Sequence, residues 1–299
     1  MQVPKLAWYG AGALLLAGLV LGLFVLPRPS RAVVSLVSPA FAPDEKAVPS
    51  ATVSALARFP MARLVSSAEH KGLTITPPQQ LPITAPVLRQ AGKPEVLYLC
   101  NEYDGYCADA SWPLALALAK FGTFHKLGYA VSLGSHNPAT PGLDFYMASY
   151  SSKYITFRGV EMYTTRLLSA GTWQVLQQLT TAESNLLANW DIPPYAPTAG
   201  VLPFIDFGGP YYLAGPSFAG QGLEAPGQGV SAALKATQAA VLGSSSLSWA
   251  VQDEAAHMVG SICKLVHNSA PACAELPKTL EDIAVPKGFN QETSGPKKR

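Results

Sequence analysis

The stretch EVLYLCNEYDGYCADASWPLALALAKF, Glu95–Phe121, decides the fold. Its first six residues, Glu95 to Cys100, are short, β-branched and aromatic-rich, and polar residues follow, so they read as a buried strand ending in a loop. From Ala108 to Phe121 the residues Trp112, Leu114, Ala115, Leu118 and Phe121 recur at helical spacing. Asp104 or Asp109 can cap the first turn of that helix. Pro113 falls inside it and removes one amide donor, which predicts a bend near Trp112.

Working outward, Tyr129–Leu133 reads as a second strand, and FYMASY, YITFRG and VEMY between Phe145 and Tyr163 suit one or two more. Thr172–Trp190 carries Trp173, Leu176, Leu179, Leu186 and Leu187 in a helical pattern. Val201–Phe207 (VLPFIDF) is a further strand, joined through Gly208-Gly209-Pro210 to Tyr211-Tyr212-Leu213 as an antiparallel hairpin. Proline breaks a strand ladder, and a cis peptide at Leu202-Pro203 would explain Pro203. Val230–Leu242 and Ser248–His267 read as two closing helices. Alternating strands and helices predict an α/β domain, a central sheet flanked by helices.

Ahead of this domain, Leu6–Leu26 is free of charge and at about 1.5 Å per residue spans a hydrocarbon core of about 30 Å. Trp8 and Tyr9 stand at one end, Arg28 and Arg31 at the other. The run exceeds the usual apolar region of a cleaved signal peptide, so it reads as an uncleaved N-terminal transmembrane helix, residues 1–27. Gly18 and Gly22 provide a GxxxG spacing through which two such helices could form a homodimer. Residues 28–92 read as a Pro-rich stalk with one short helix over Thr52–Ser67, residues 93–276 as the domain, and 277–299 as a polar tail.

The composition excludes several classes. Of 299 residues 48% are hydrophobic and 13% charged, which argues against disorder. The net charge of +2 gives no electrostatic footprint for nucleic acid. The 25 Gly and 26 Pro predict long connections. No GxSxG elbow, P-loop or GxGxxG unit occurs, so neither acyl transfer nor a nucleotide cofactor is indicated. The histidines are dispersed, and Asp253, Glu254 and His257 read as an exposed helix pair, so no metal site is expected.

The strand GKPEVLYL, the EYxxYC loop, the Trp-bearing helix ending AKFGTFHKLG, the segment LPFIDFGGPYYLAGPSF and a C-terminal cysteine pair together resemble the DUF929 family of thioredoxin-like membrane-anchored proteins. The resemblance spans roughly Ala91 to Leu276. It implies a thioredoxin-like sheet, a cis-proline at Pro203 facing the redox loop, and a match of Trp112 to the family's helix Trp. Where the family carries a thioredoxin-type CxxC, this chain reads Asp104-Gly105-Tyr106-Cys107. The attacking thiolate of such a motif has no counterpart in Asp104, which keeps a negative charge at the helix tip but has no sulfur to exchange.

Cys107 is then either a lone reactive thiol, the one catalytic candidate, or a buried relic, and the nearby carboxylate favours the relic by raising a thiol pKa. A bridge from Cys107 to Cys100 is disfavoured, because the pleat fixes where a strand cysteine points. Two free thiols are expected there. Cys263 and Cys273 are expected to form a structural disulfide worth roughly 2–3 kcal/mol, a bond that persists in oxidising compartments.

The expected function is a single-pass cell-membrane protein with its domain outside the cytoplasm, lacking dithiol oxidoreductase activity and binding or assembling extracytoplasmic proteins or peptides. The binding face would be the groove between the Asp104–Cys107 loop and Pro203, with Tyr103, Tyr106, Trp112 and Leu202 contributing. Tyr211 and Tyr212 would gather with the loop tyrosines beside Pro203 as an apolar rim. The alternatives are a thiol-disulfide oxidoreductase working through Cys107, alone or with Cys100, and a subunit of a larger membrane assembly.

Overall fold

The computed structural model describes residues 46–70, 74–82, 84–132, 140–169, 171–218, 223 and 230–280. The expected membrane helix, with Gly18 and Gly22, and most of the polar tail lie outside them. No helix among the described residues is long and apolar enough to cross a membrane.

The chain runs β1 (Lys46–Ala47), α1 (Ser50–Arg58), α2 (Met61–Ala68), β2 (Gln79–Gln80), β3 (Arg89–Gln90), β4 (Lys93–Cys100), α3 (Gly105–Leu118), β5 (Gly122–Val131) and β6 (Pro141–Ser152). It continues with β7 (Thr156–Glu161), β8 (Tyr163–Leu167), β9 (Trp173–Val175), α4 (Thr181–Trp190), β10 (Phe204–Phe207), β11 (Tyr211–Ala214), α5 (Val230–Val241) and α6 (Ser246–Leu265). The mixed α/β class matches the expectation.

The main sheet is mixed and built on β4. β7 pairs with it in parallel, β10 in antiparallel, and β11 and β2 extend the sheet beyond β10. β3 folds back on the start of β4. A continuous buried run suits such a central strand. The pleat sends Val96, Tyr98 and Cys100 into the larger core, with Trp112 and the apolar face of α6. Leu97 and Leu99 enter a smaller core with Val160, Leu186 and Phe204. β1, β5 and β6 form a second, antiparallel sheet, and β8 pairs with β9.

Helix α3 is buried almost all round and packs between β6 and α6. Its contact with β6 is pinned at two points. Trp112 Nε1 donates to Pro141 O at 2.8 Å, and Ser111 Oγ accepts from Leu143 N at 2.8 Å. Between them lies Gly142, where an added Cβ would sit 2.6 Å from Ala108 Cα, so only glycine lets the strand come this close. Reciprocal capping boxes start α4 (Thr180 with Glu183) and α6 (Ser245 with Ser248).

Three sequence expectations are corrected. The helix over Thr52–Ser67 is two helices, broken at Phe59-Pro60, because Pro60 has no amide with which to continue the first. The described part of residues 28–92, whose helix is expected to dock on the domain, makes these contacts with it. β1 pairs with β5 and β2 with β11, while Thr52 Oγ1 donates to Gln238 Oε1 at 2.6 Å and Ser67 Oγ to Gln252 Oε1 at 2.8 Å. The helix expected over Thr172–Trp190 starts only at Thr181, after an extended segment that includes β9. Met162 O accepts from the amides of Leu176 and Gln177, and Gln177 Oε1 accepts from Glu161 N, so long-range bonds override the local helical pattern. The second strand is longer than expected, Gly122–Val131.

Candidate functional site

The site lies where β4 ends and α3 begins. Asp104 is the N-cap of α3: its Oδ1 accepts from Tyr106 N at 2.8 Å and from Cys107 N at 3.4 Å. This matches the role read from sequence, and the helix begins at Gly105, earlier than its apolar pattern.

Cys107, in the first turn, is bonded to Cys100, with the two Cα atoms 5.8 Å apart. The expectation of two free thiols is therefore wrong. The pleat that argued against this pairing in fact produces it. Cys100 shares the parity of Val96 and Tyr98, and that face of β4 is the one α3 covers. Both cysteines are buried, at 0% and 2% exposure. Asn101 N donates to Cys107 Sγ at 3.4 Å and Tyr98 Oη to Cys107 O at 3.0 Å, so backbone and phenol brace the bridge.

Three buried carboxylates that sequence reasoning did not assign to the site stand around it: Glu102 from the loop, Asp144 from β6 and Glu161 from β7. Together with Tyr98 and Cys107 they line a narrow cleft with about 10 Å³ of free space, room for about one water. Register places Glu161 directly beside Cys100. Asp144 Oδ1 accepts from Tyr146 N at 2.7 Å. Burial, with the charges of Glu161, Asp104 and Asp144 adding to it, pushes the Tyr98 phenol well above its usual range, so Tyr98 serves as a neutral donor.

On the other side of β4, the Leu202-Pro203 peptide is cis, as read from sequence. A second cis bond, Pro193-Pro194, was not read. Phe204 pairs with Leu99, so Pro203 lies level with Cys100 at the same sheet end. Pro203 O accepts from Gly215 N at 2.8 Å. Leu202 is half-buried and, with Met162, Ile192 and the buried Asp191, lines an apolar hollow of about 310 Å³.

The expected aromatic rim does not assemble. Tyr103 stacks on Trp173 with ring centroids 4.3 Å apart and planes 9° from parallel, and its Oη accepts from Asn101 Nδ2 at 3.2 Å. Tyr106 faces Pro216 and Phe218 instead. Tyr211 pairs with Phe207 at the far end of the hairpin, and Tyr212 is buried with its Oη donating to Tyr195 O at 2.7 Å. Trp112 is fully buried and serves as core. Trp173 reaches Tyr103 from the β8–β9 hairpin, whose Leu167, Leu168 and Val175 remain at the surface.

Over residues 83–251, more than half of the chain, the sequence matches the model of a domain of unknown function, DUF929. The chain belongs to the DUF929 family. No curated protein and no solved structure matches it. The DUF929 match takes in Cys100, Asp104, Cys107 and Pro203 and ends inside α6.

Beyond the DUF929 match, Cys263 and Cys273 form the expected bridge, Cα atoms 5.6 Å apart, tying α6 to a 3₁₀ turn over Pro271–Glu275. The Asp253–His257 pair is present at 3.4 Å but is not exposed as expected: Asp253 is buried and His257 half-buried, because α6 packs against α2, α3 and α5. Glu254 beside it is fully buried. Burial holds its carboxyl well above the usual range, the Asp109 and Asp253 charges adding to this and the Ser217 hydroxyl opposing it. Among the described residues no three His, Cys, Asp or Glu side chains converge as a metal site.

Proposed function

We propose that this DUF929 chain is a thioredoxin-like module, anchored in the cell membrane with its domain outside the cytoplasm, that binds or helps assemble extracytoplasmic proteins and lacks dithiol oxidoreductase activity. The carrying observation is the chemistry at the tip of α3. The position of the attacking residue there is held by Asp104, a half-buried carboxylate spent on capping, while the neighbouring sulfur is locked in a bridge at 0% and 2% exposure. Exchange requires a thiolate that can reach a substrate disulfide.

Several features support the thioredoxin-like reading. β4 has a parallel neighbour and an antiparallel hairpin, the helix leaves directly from its end, and a cis-proline stands level with that junction. The groove between the Asp104 loop and Leu202-Pro203 would receive an extended client segment. The charge-free run at residues 6–26 and two disulfides in one chain support the anchored, extracytoplasmic placement.

The Cys100–Cys107 bridge itself favours a second reading, a thiol-disulfide oxidoreductase cycling that pair. The two separate in one assay. Full-length protein is expected to leave the reduction of a protein disulfide by dithiothreitol at its uncatalysed rate, and Cys107→Ser is expected to change nothing. Turnover that disappears in Cys107→Ser would establish the second reading and end the first.

A further inference from the structure

At the opposite end of β4 from the disulfide, about 23 Å away along the strand, lies an open basin of about 370 Å³. Its wall holds Arg89 and Lys93 from the β3–β4 turn, Lys153 from the β6–β7 turn, and His267 just past α6. Among the described residues no acidic side chain lines it. Ligand sites commonly begin at about 300 Å³, so the basin is large enough for a small anion with its substituent.

The cations here are held in place but not neutralised. Lys93 Nζ donates to Ser152 O at 2.6 Å, an Arg89 guanidinium nitrogen donates to Gly92 O, and Lys153 lies 5.8 Å from the centre of the Tyr154 ring. Their partners are carbonyls and a ring face. Among the described residues none of the three has a carboxylate within ion-pair distance. The C-terminus of α6 offers little compensation. The carbonyls of Ile262, Cys263, Lys264 and Val266 are already taken by the amides of Val266, Asn268, His267 and Ser269. A chain with a net charge of only +2 thus gathers three fixed cations and an imidazole around one concavity.

We infer that this basin is a binding site for an anionic phosphate group, with Arg89 and Lys153 as its primary ligands and Lys93 as a fixed charge in the wall. Guanidinium matches phosphate oxygens in a two-pronged fashion, and an ammonium adds a compact charge that needs no set direction. Phosphate is favoured over a carboxylate because its tetrahedrally arranged oxygens can meet a guanidinium on one side and an ammonium on another, as cations from two separate turns require. The source is either a free phosphate compound or a phospholipid headgroup, which share this chemistry. The inference does not depend on the reading of the disulfide end.

Binding of inorganic pyrophosphate, and of detergent micelles containing phosphatidylglycerol or phosphatidylcholine, to the full-length protein tests it. The expected result is saturable binding of pyrophosphate, of phosphatidylglycerol micelles, or of both, that weakens at least tenfold in the R89Q/K153Q variant. The control Lys235→Gln, an exposed lysine on α5, is expected to stay within twofold of the parent. Pyrophosphate alone points to a soluble ligand, and phosphatidylglycerol alone to a headgroup; either supports the site. Arg89 and Lys153 are exposed, so unchanged denaturation curves certify the fold of the double variant. The inference fails if neither probe's binding responds to R89Q/K153Q, or if K235Q weakens it equally.

Discussion

One strand, β4, ends in opposite electrostatic worlds. At its carboxyl end Glu102, Asp144 and Glu161 are buried around a disulfide, in a cleft with room for about one water. At its amino end Arg89, Lys93 and Lys153 rim an open basin of about 370 Å³. Solvated cations cost a fold little and remain free to meet a ligand. Buried carboxylates are desolvated, and the fold must hold them with hydrogen bonds or keep them protonated. The acid end is therefore where sequence and stability constrain each other, and the basic end is where a partner has access.

The same contrast between buried carboxylates and solvated cations recurs elsewhere in the fold, in mid-sheet and on α6, and the largest effect expected from it is on pH dependence. Burial pushes Asp206, which pairs with Leu97 in the middle of the sheet, up to about 7, its bond from Gly209 opposing and the Glu95 charge adding. Burial likewise pushes Asp253 up to about 6 and Glu254 well up. A carboxyl whose pKa is higher folded than unfolded stabilises the fold fully only below its unfolded value. That contribution is lost as pH rises through the folded value. Stability by chemical denaturation is thus expected to fall between about pH 4 and pH 7. Asp206→Asn, which keeps the acceptor for Gly209, should flatten the slope by roughly 2–4 kcal/mol across that window. Glu254→Gln should flatten it further, and Lys153→Gln at the solvated end should not. A slope unchanged by both variants would mean that these buried carboxylates are ionised in the fold.

The second effect separates the disulfide of the acid end from its counterpart on α6. Their closed loops span 7 and 10 residues, so chain entropy predicts nearly equal contributions of roughly 2–3 kcal/mol. Paired variants, C100A/C107A and C263A/C273A, are expected to lose that much each in urea denaturation. If the first pair loses far more, the bridge is holding the carboxylates apart as well as closing a loop. Equal losses locate its stabilisation in the unfolded chain and make the acid surroundings incidental to stability.

How much of this is legible in the sequence depends on how local its cause is. The strand over Val96–Cys100, the cap at Asp104, the special peptide before Phe204 and the Cys263–Cys273 bridge all follow from neighbouring residue types. The acid cleft does not, because Asp144 and Glu161 come from β6 and β7 and meet Glu102 only when Gly142 brings β6 onto α3. The basin was missed likewise, because Lys153 joins Arg89 and Lys93 only through the pairing of β4 with β7. The Cys100–Cys107 pairing was misjudged although its signal was present. Cys100 has the parity of Val96 and Tyr98, and the apolar helix that follows must cover that same face. Trp173 to Leu179 misled in the opposite direction, offering helical spacing to a segment that β7 and Met162 hold extended.

The smallest effect tests whether Asp104 belongs to the acid end as a charge or only as an acceptor. Its Oδ1 takes two amides of the first turn, and replacing such a cap by alanine typically costs about 1 kcal/mol. Its charge gains from the helix N-terminus, but it also stands among the charges that raise Tyr98. These two influences oppose each other. Asp104→Asn keeps an acceptor oxygen and removes both, so it is expected to match the parent within about 0.5 kcal/mol, with Asp104→Ala about 1 kcal/mol below. If asparagine falls as far as alanine, the negative charge at the helix tip outweighs the crowding of carboxylates. If asparagine is the more stable, the crowding dominates, and Asp104 is retained there at a cost to the fold.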